Sequence, residues 1–253
     1  MGNLADAGFA PEPLSYDDPT VTGLADRQIE MVLRNRVLFG AGALRRLPEL
    51  VAAAGGRRAF VVTDPGVVVA GIAADTVDVL SEALIPSTLF SQVEPNPSGA
   101  TVEAGASILL TLGLEGTVIV ALGGGSAMDA AKAIALCAAN ERPVWELEYD
   151  GPTLVPGRPI VAIPTTAGTG SEAHSFAVIT HEEIGRKDYI GHPSLLPFAT
   201  ILDPSLTVAL PAAVTAATRT TTSRGARSST ATAPASRPAP RSSMASDSSL
   251  ANA

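Results

Sequence analysis

The sequence has few of the features that mark secreted or membrane proteins. It contains one cysteine, Cys137, so no disulfide can form within the chain, which is typical of a reducing compartment. No apolar run approaches the roughly 18 residues that a membrane-spanning helix needs. Residues 1–27 lack the basic region and apolar core of a signal peptide. We therefore expect a soluble, cytoplasmic protein with no membrane partner.

Positive charge is scarce as well. The formal net charge is -8, and no basic helix or stripe occurs in the first two hundred residues, which argues against nucleic-acid binding. Aromatic residues are few, whereas alanine, glycine and proline are abundant. A length of 253 residues is enough to bury a sizeable core in one large domain or two modest ones.

One strand–turn–helix pattern stands out. The apolar run 117–122 leads into Gly123, Gly124 and Gly125, and an alanine-rich stretch follows. Glycines let a ligand oxygen approach backbone N–H groups closely, and a helix N-terminus attracts anions. Ser126 is predicted to cap the helix, with Asp129 completing a capping box. A well-capped connection that binds no ligand would explain the same residues.

Strand-like and helical patterns alternate along most of the chain. Strands are predicted at 29–39, 59–63, 87–90, 117–122, 159–163, 176–180 and 199–202, and helices at 42–51, 68–83, 98–112 and 126–139. A charged turn is predicted around 182–187. This alternation predicts an α/β fold with a mainly parallel, Rossmann-like sheet and helices on both faces.

Ligands of such sheets bind beyond the carboxyl ends of the strands. Asp64, Asn96, the glycine turn and the hydroxyl-rich loop 164–172 each follow a predicted strand, so we expect them at one edge of the sheet. Asp64 suits ribose hydroxyls and would repel a 2′-phosphate, which favours NAD over NADP. Alternatively, Asp64 only initiates a turn before Pro65 and Gly66.

Three further groups are candidates for the same dinucleotide. The backbone N–H groups of Gly124, Gly125 and Ser126 are predicted to hold the pyrophosphate. Hydroxyl donors are available on Thr165, Thr166 and Thr169, although a hydroxyl-rich helix cap explains these residues almost as well. Lys187 is a candidate too, with a solvated surface charge as its alternative.

Two long motifs resemble the iron-containing (group III) alcohol dehydrogenases. They are Gly-Gly-Gly-Ser-Ala-Met-Asp-Ala-Ala-Lys at 123–132 and Pro-Thr-Thr-Ala-Gly-Thr-Gly-Ser-Glu at 164–172. Asp64, the Pro-Asn-Pro at 95–97 and the Leu-Asp-Pro at 202–204 fall in the family's order. The resemblance covers roughly residues 30–217.

The resemblance implies an N-terminal nucleotide-binding domain of the dehydroquinate synthase type, followed by a helical domain that holds a divalent metal, iron or zinc. It also implies NAD-dependent hydride transfer between an alcohol and an aldehyde. The implied cofactor residues are Asp64, Asn96, Gly124, Gly125, Ser126, Thr165, Thr166 and Thr169, with Lys187 near a ribose. His174 and His181 replace a threonine and an aspartate that relatives often carry, and the oligomeric state is left open.

The chain departs from the family at Arg219. There the family continues with glycine and then an aspartate and a histidine that bind the metal, whereas this chain turns to serine, threonine, alanine, proline and arginine. We predict a lead-in at 1–29, a dinucleotide-binding domain at 30–205, the start of a helical domain at 206–218 and a disordered tail at 219–253. The tail is either frameshifted or natural.

This departure bears on activity. The three histidines, His174, His181 and His192, lack the spacing of the family's metal site, so no metal ligand and no catalytic residue is assigned. The sequence therefore predicts an NAD-dependent alcohol dehydrogenase by family whose metal-binding half is absent, and an inactive chain. The alternatives are a non-catalytic nucleotide-binding module and a truncated product without function.

Overall fold

A six-stranded parallel sheet forms the centre of the molecule. The computed structural model describes residues 35–147 and 154–208. Its strands are β1 (Arg36–Phe39), β2 (Arg58–Val62), β3 (Ser87–Phe90), β4 (Thr117–Gly123), β5 (Ile160–Pro164), β6 (Phe176–His181), β7 (Arg186–Gly191) and β8 (Ala199–Leu202). The sheet has the strand order β1-β8-β5-β4-β2-β3, and all of its pairs are parallel. The predicted α/β fold class is confirmed.

Helices cover both faces of this sheet. They are α1 (Leu47–Ala53), α2 (Pro65–Val69), α3 (Ile72–Glu82), α4 (Gly99–Leu112), α5 (Gly125–Asn140) and α6 (Pro204–Val208), with short 3-10 turns at Ala43–Arg46, Val144–Glu146, Ser171–Ala173 and Pro193–Leu195. Every residue of β4 is buried, since its neighbours flank it and helices cover both sides. Its side chains alternate between two core clusters: Ile119 and Ala121 lie in one, and Val118, Val120 and Leu122 in the other. Burial on both faces explains why this strand reads as a continuous apolar run.

Two details of the predicted element order are wrong. The single helix predicted at 68–83 is two helices, because Gly71 adopts a left-handed conformation (φ 81°) between α2 and α3. Only glycine takes that conformation without steric cost, so it ends one helix and starts another. The charged turn predicted at 182–187 also runs into a strand, β7, which begins at Arg186.

Strands β6 and β7 form an antiparallel hairpin outside the main sheet. One face of the hairpin, with Ala177, Ile179 and Ile190, is fully buried in the core cluster that contains α5. The hairpin also meets the loop before α4, where the Thr180 N–H donates to the carbonyl of Pro97 at 2.8 Å. It therefore bridges the elements that follow β3 and β4.

The first and last described strands are neighbours. β1 pairs in parallel with β8, from Arg36 opposite Ala199 to Phe39 opposite Leu202. Just beyond β8, the buried carboxylate of Asp203 accepts hydrogen bonds from the N–H groups of Gly42 and Leu44 at 3.1 and 3.0 Å. This contact fastens the turn after β1 to the end of β8.

The predicted lead-in at 1–29 and the predicted tail at 219–253 lie outside the described residues. Of the segment predicted to start a helical domain, only residues 206–208 are described. Within the described part of the chain, no helix is long and apolar enough to cross a bilayer.

Candidate dinucleotide site

The four predicted site segments lie at one edge of the sheet. They follow β5, β4, β2 and β3, which are consecutive neighbours in the strand order. Because parallel strands present their carboxyl ends on the same side, the segments after them are brought together. The expected gathering of Asp64, Asn96, the glycine turn and the Thr165 loop is confirmed.

Helix α5 begins at this edge without a side-chain cap. Its N-cap residue is Gly124, in an extended conformation, and none of the described side chains accepts a hydrogen bond there. The predicted capping by Ser126 is wrong, because the N-cap position is Gly124, two residues earlier, and Ser126 lies inside the first turn. Its hydroxyl oxygen instead accepts the Asn96 N–H at 3.2 Å. The first N–H groups of a 16-residue helix are thus left to a ligand.

Two glycines of the turn, Gly123 and Gly125, are packed too closely for a side chain. A Cβ on Gly123, whose φ is 140°, would lie 2.8 Å from the Cβ of Ala127 and 3.1 Å from Asp64 Oδ2. A Cβ on Gly125 would lie 2.9 Å from Thr169 Cγ2. The turn therefore needs glycine both for its own conformation and for the close approach of the second loop.

The second loop supplies hydroxyl groups beside the glycines. The Thr165 N–H donates to the Gly123 carbonyl at 3.0 Å, which joins the two loops. The hydroxyl oxygens of Thr165 and Thr166 are buried and have no hydrogen-bond partner among the described residues. Buried hydroxyls normally find a partner. These two are the polar atoms that a dinucleotide bound at the turn would satisfy, so this part of the chain fits such a cofactor.

Asp64 has two functions at the end of β2. Its Oδ1 accepts the Val67 N–H at 3.0 Å and caps α2, so the alternative of a turn-forming aspartate is confirmed. Its second oxygen is directed to the glycine turn, at 3.1 Å from the position of a Cβ on Gly123. Asp64 is half-buried, and the free oxygen can still accept a hydrogen bond from a ligand.

Lys187 reaches the same edge from the hairpin. Its ammonium donates to Asn96 Oδ1 at 2.7 Å, although the side chain is exposed. Asn96 has a left-handed backbone (φ 57°), which asparagine tolerates, and its carbonyl accepts the Thr180 hydroxyl at 3.1 Å. Lys187 is hydrogen-bonded rather than isolated, and its role at the site stays a prediction.

A buried polar group that sequence reasoning missed lies behind the second loop. Asp129, predicted to complete a capping box, instead accepts hydrogen bonds from the Ser171 hydroxyl and from the Val178 N–H, the latter at 3.2 Å. Lys132, one turn further along α5, donates to backbone carbonyls of residues 171–176. Burial lowers the pKa of Lys132 to about 8 and raises that of Asp129. The sequence signal was an aspartate and a lysine three residues apart in an alanine-rich helix.

The histidines are engaged in other contacts. His174 stacks on Phe176 with ring centroids 3.7 Å apart, and burial together with the Lys132 ammonium lowers its pKa to about 4. His181 stacks on Trp145 at 4.2 Å. Across residues 35–147 and 154–208, no three His, Cys, Asp or Glu side chains come together as a metal site. The described residues therefore do not fit the divalent metal that the resemblance implies.

Comparison with known families identifies this arrangement. The family model described as iron-containing alcohol dehydrogenase matches residues 34–204, which is most of the described chain. The chain belongs to the iron-containing alcohol dehydrogenase family. The predicted resemblance is confirmed, and the fold and both glycine- and threonine-containing loops fall within the matched segment.

Individual relatives agree with the family match. A choline dehydrogenase of Bacillus subtilis is 44% identical over 185 residues, covering 72% of this chain and 46% of that protein. An NADH-dependent butanol dehydrogenase B of Clostridium acetobutylicum is 34% identical over 188 residues, covering 74% and 48%. Among solved structures, a sulfoacetaldehyde reductase of Bifidobacterium kashiwanohense in complex with NAD+ is 32% identical with a TM-score of 0.68, covering 77% and 51%. The chain spans about half the length of the relatives that it matches.

Proposed function

We propose that the edge of the sheet beyond β2, β3, β4 and β5 binds NAD(H), and that the whole protein is an NAD-dependent alcohol dehydrogenase. The observation that carries the proposal is the uncapped N-terminus of α5 beside a glycine turn and two unpartnered threonine hydroxyls. N–H groups at such a terminus bind phosphate oxygens, and the helix dipole adds to the attraction. When bound, the nicotinamide supplies the hydride chemistry, accepting a hydride from an alcohol or giving one to an aldehyde.

The proposed residue roles follow from where each group lies. The backbone N–H groups of Gly124, Gly125 and Ser126 hold the pyrophosphate, and the free oxygen of Asp64 accepts from ribose hydroxyls. A carboxylate at that point also disfavours a 2′-phosphate, which supports NAD over NADP. Asn96 and Lys187, joined at 2.7 Å, provide polar contacts to a ribose on the hairpin side.

The threonines complete the cofactor site in this proposal. Thr165 and Thr166 donate their unpartnered hydroxyls to the cofactor. Thr169 is exposed and lies against Gly125, where its hydroxyl is within reach of the same anion. Distances support these roles: a Cβ on Gly124 would lie 3.3 Å from Thr166 Oγ1, and one on Gly125 would lie 3.2 Å from Thr169 Oγ1. The Thr165 N–H also donates to the Gly123 carbonyl.

We further propose that this chain by itself binds cofactor without completing hydride transfer. All three histidines of the sequence lie among the described residues, and none belongs to a cluster that could hold a metal. The proposed organisation is a dinucleotide-binding domain at 30–205, the beginning of a helical domain at 206–218 and a low-complexity tail at 219–253. The same observation favours a second candidate function, a non-catalytic nucleotide-binding module.

Titration with NADH separates these possibilities. We expect saturable enhancement of NADH fluorescence by the purified chain and its reversal by excess NAD. If a sample with native circular dichroism gives no enhancement, both the dehydrogenase and the binding-module proposals are wrong. Addition of aldehyde with iron or zinc should leave NADH unconsumed. Consumption of NADH by the chain alone would contradict the proposed lack of a metal site.

A further inference from the structure

A buried lysine links α5 to the segment that follows the second cofactor loop. Lys132 is 1% exposed, and its ammonium donates to the carbonyls of Ser171 at 2.6 Å, His174 at 2.8 Å and Phe176 at 3.0 Å. His174 Nδ1 lies 3.2 Å from the same nitrogen. Lys132 is not among the residues proposed to contact the cofactor.

The environment of Lys132 is unusual for an ammonium group. Among the described carboxylates, none forms an ion pair with it, and its charge is supported by attraction to Asp129 and Glu172. Burying a charge is costly unless it is hydrogen-bonded, and an ammonium has three N–H donors. Three carbonyls within 3.0 Å satisfy those donors. The Lys132 ammonium therefore acts as a hydrogen-bond donor that holds three backbone carbonyls in fixed positions.

The three carbonyls lie on the segment that leads from the second cofactor loop to the hairpin. Ser171 follows Gly170 directly, and Phe176 opens β6, so the three carbonyls span the whole connection between the loop and the hairpin. Asp129 holds the same connection from one turn earlier on α5, through the Ser171 hydroxyl and the Val178 N–H. At its other end the loop is joined to the glycine turn by Thr165.

We propose that Lys132 is a positioning residue that holds the 165–170 loop against the N-terminus of α5. It acts from a buried position, since it lies two turns into the helix and the cofactor edge is at the helix start. With both ends of the loop fixed to one strand–helix unit, the hydroxyls of Thr165 and Thr166 stay beside the glycine turn. The effect on cofactor affinity rests on the proposed function, whereas the effect on the loop does not.

The test replaces Lys132 by methionine, which has a similar shape and no donor. Loss of the ammonium removes one hydrogen bond from each of three carbonyls, of which the Ser171 carbonyl contact is buried and the other two are partly buried. We therefore expect faster amide hydrogen exchange confined to residues 165–178. The NADH dissociation constant should rise at least tenfold. A matched control is Ile134→Ala, which removes buried side-chain volume from the same helix, where Ile134 packs against α4 near Gly105.

The control separates positioning from general destabilisation. Ile134→Ala should lower the melting temperature while leaving exchange at 165–178 and NADH affinity as in the unmodified chain. Equal losses of affinity in the two variants, or unchanged exchange of the segment in Lys132→Met, would overturn the proposal. If the unmodified chain binds no NADH, the proposed function fails, and the exchange measurement still decides whether Lys132 holds the loop. A Lys132→Met variant that does not fold is replaced by Lys132→Gln, judged by the same exchange criterion.

Discussion

Helices α2, α4 and α5 begin beyond the carboxyl ends of β2, β3 and β4, and they begin in two different ways. Helix α2 is capped by the carboxylate of Asp64, which accepts from Val67, and α4 is capped by the hydroxyl of Ser98, which accepts from Thr101. Helix α5 is the longest of the three and has only glycine at its start. A side-chain cap stabilises a helix by about 1 kcal/mol. The omission of a cap at α5 is thus a cost to stability at the point where we propose that an anion binds.

The largest effect is expected from a substitution that gives α5 a side-chain cap like those of α2 and α4. Gly124 has an extended backbone open to other residues, so Gly124→Asp can place a carboxylate on the free N–H groups. We expect stability to rise by about 1 kcal/mol. NADH affinity should fall about a thousandfold, because two charge-assisted hydrogen bonds of about 1.5–3 kcal/mol each are lost. Urea denaturation and NADH fluorescence measure the two effects.

Gly124→Ala is the control for this substitution. Its Cβ would lie 3.3 Å from Thr166 Oγ1, a tight contact that carries no charge. Affinity should fall far less than in Gly124→Asp. Gain of stability without loss of affinity in the aspartate variant would show that the α5 terminus binds no anion.

The next largest effect concerns the charge buried in α5. The pKa of Lys132 is about 8 in the folded protein against 10.5 ordinarily, with burial as the main cause. Between these values the unfolded chain binds the proton and the folded chain does not, so stability rises with pH. Across that window the unmodified chain should gain about 3 kcal/mol relative to Lys132→Met. Urea denaturation of both proteins at pH 8 and pH 10.5 checks the difference, and parallel pH profiles would contradict it.

A smaller effect compares the two capped helices. Asp64→Ala and Ser98→Ala should each cost about 1 kcal/mol of stability, because each removes one cap. Only Asp64→Ala should shift the ratio of NADPH to NADH affinity, by about tenfold or 1.4 kcal/mol, since the repelling carboxylate is gone. Denaturation and paired titrations with the two cofactors measure this. An equal shift of the NADPH-to-NADH affinity ratio in Ser98→Ala would contradict the proposal that the Asp64 carboxylate selects NAD.

The smallest effect is expected at Lys187. Its hydrogen bond to Asn96 is exposed, so Lys187→Met should change stability by no more than about 0.5 kcal/mol. NADH affinity should fall about two- to fivefold, and less in high salt, because an exposed charge acts through a screened field. Titrations at low and high ionic strength test this. Unchanged NADH affinity at both ionic strengths would contradict the proposed ribose contact of Lys187.

The strand–turn–helix unit at 117–140 could be predicted because its signals are local: a doubly buried apolar run, three glycines and an alanine-rich helix. The meeting of Asp64, Asn96 and the two loops followed from the rule for parallel sheets. The partners of Lys132 could not be predicted, since its hydrogen bonds join residues 39 to 44 positions apart. The hydroxyl of Ser126 was misassigned for a related reason: it accepts from the N–H of Asn96, 30 residues away, and no local pattern encodes that contact.

The pairing of β1 with β8 makes the order of synthesis matter for folding. β1 leaves the ribosome first, yet its partner residues are 199–202, and at 5–20 residues per second they follow on the order of ten to thirty seconds later. Until then β1 has no neighbour in the sheet and β5 is an open edge. The carboxylate of Asp203, which binds the N–H groups of Gly42 and Leu44, arrives directly after β8 and can secure the late pairing. The six-stranded sheet therefore stays incomplete in the nascent chain until β8 is made.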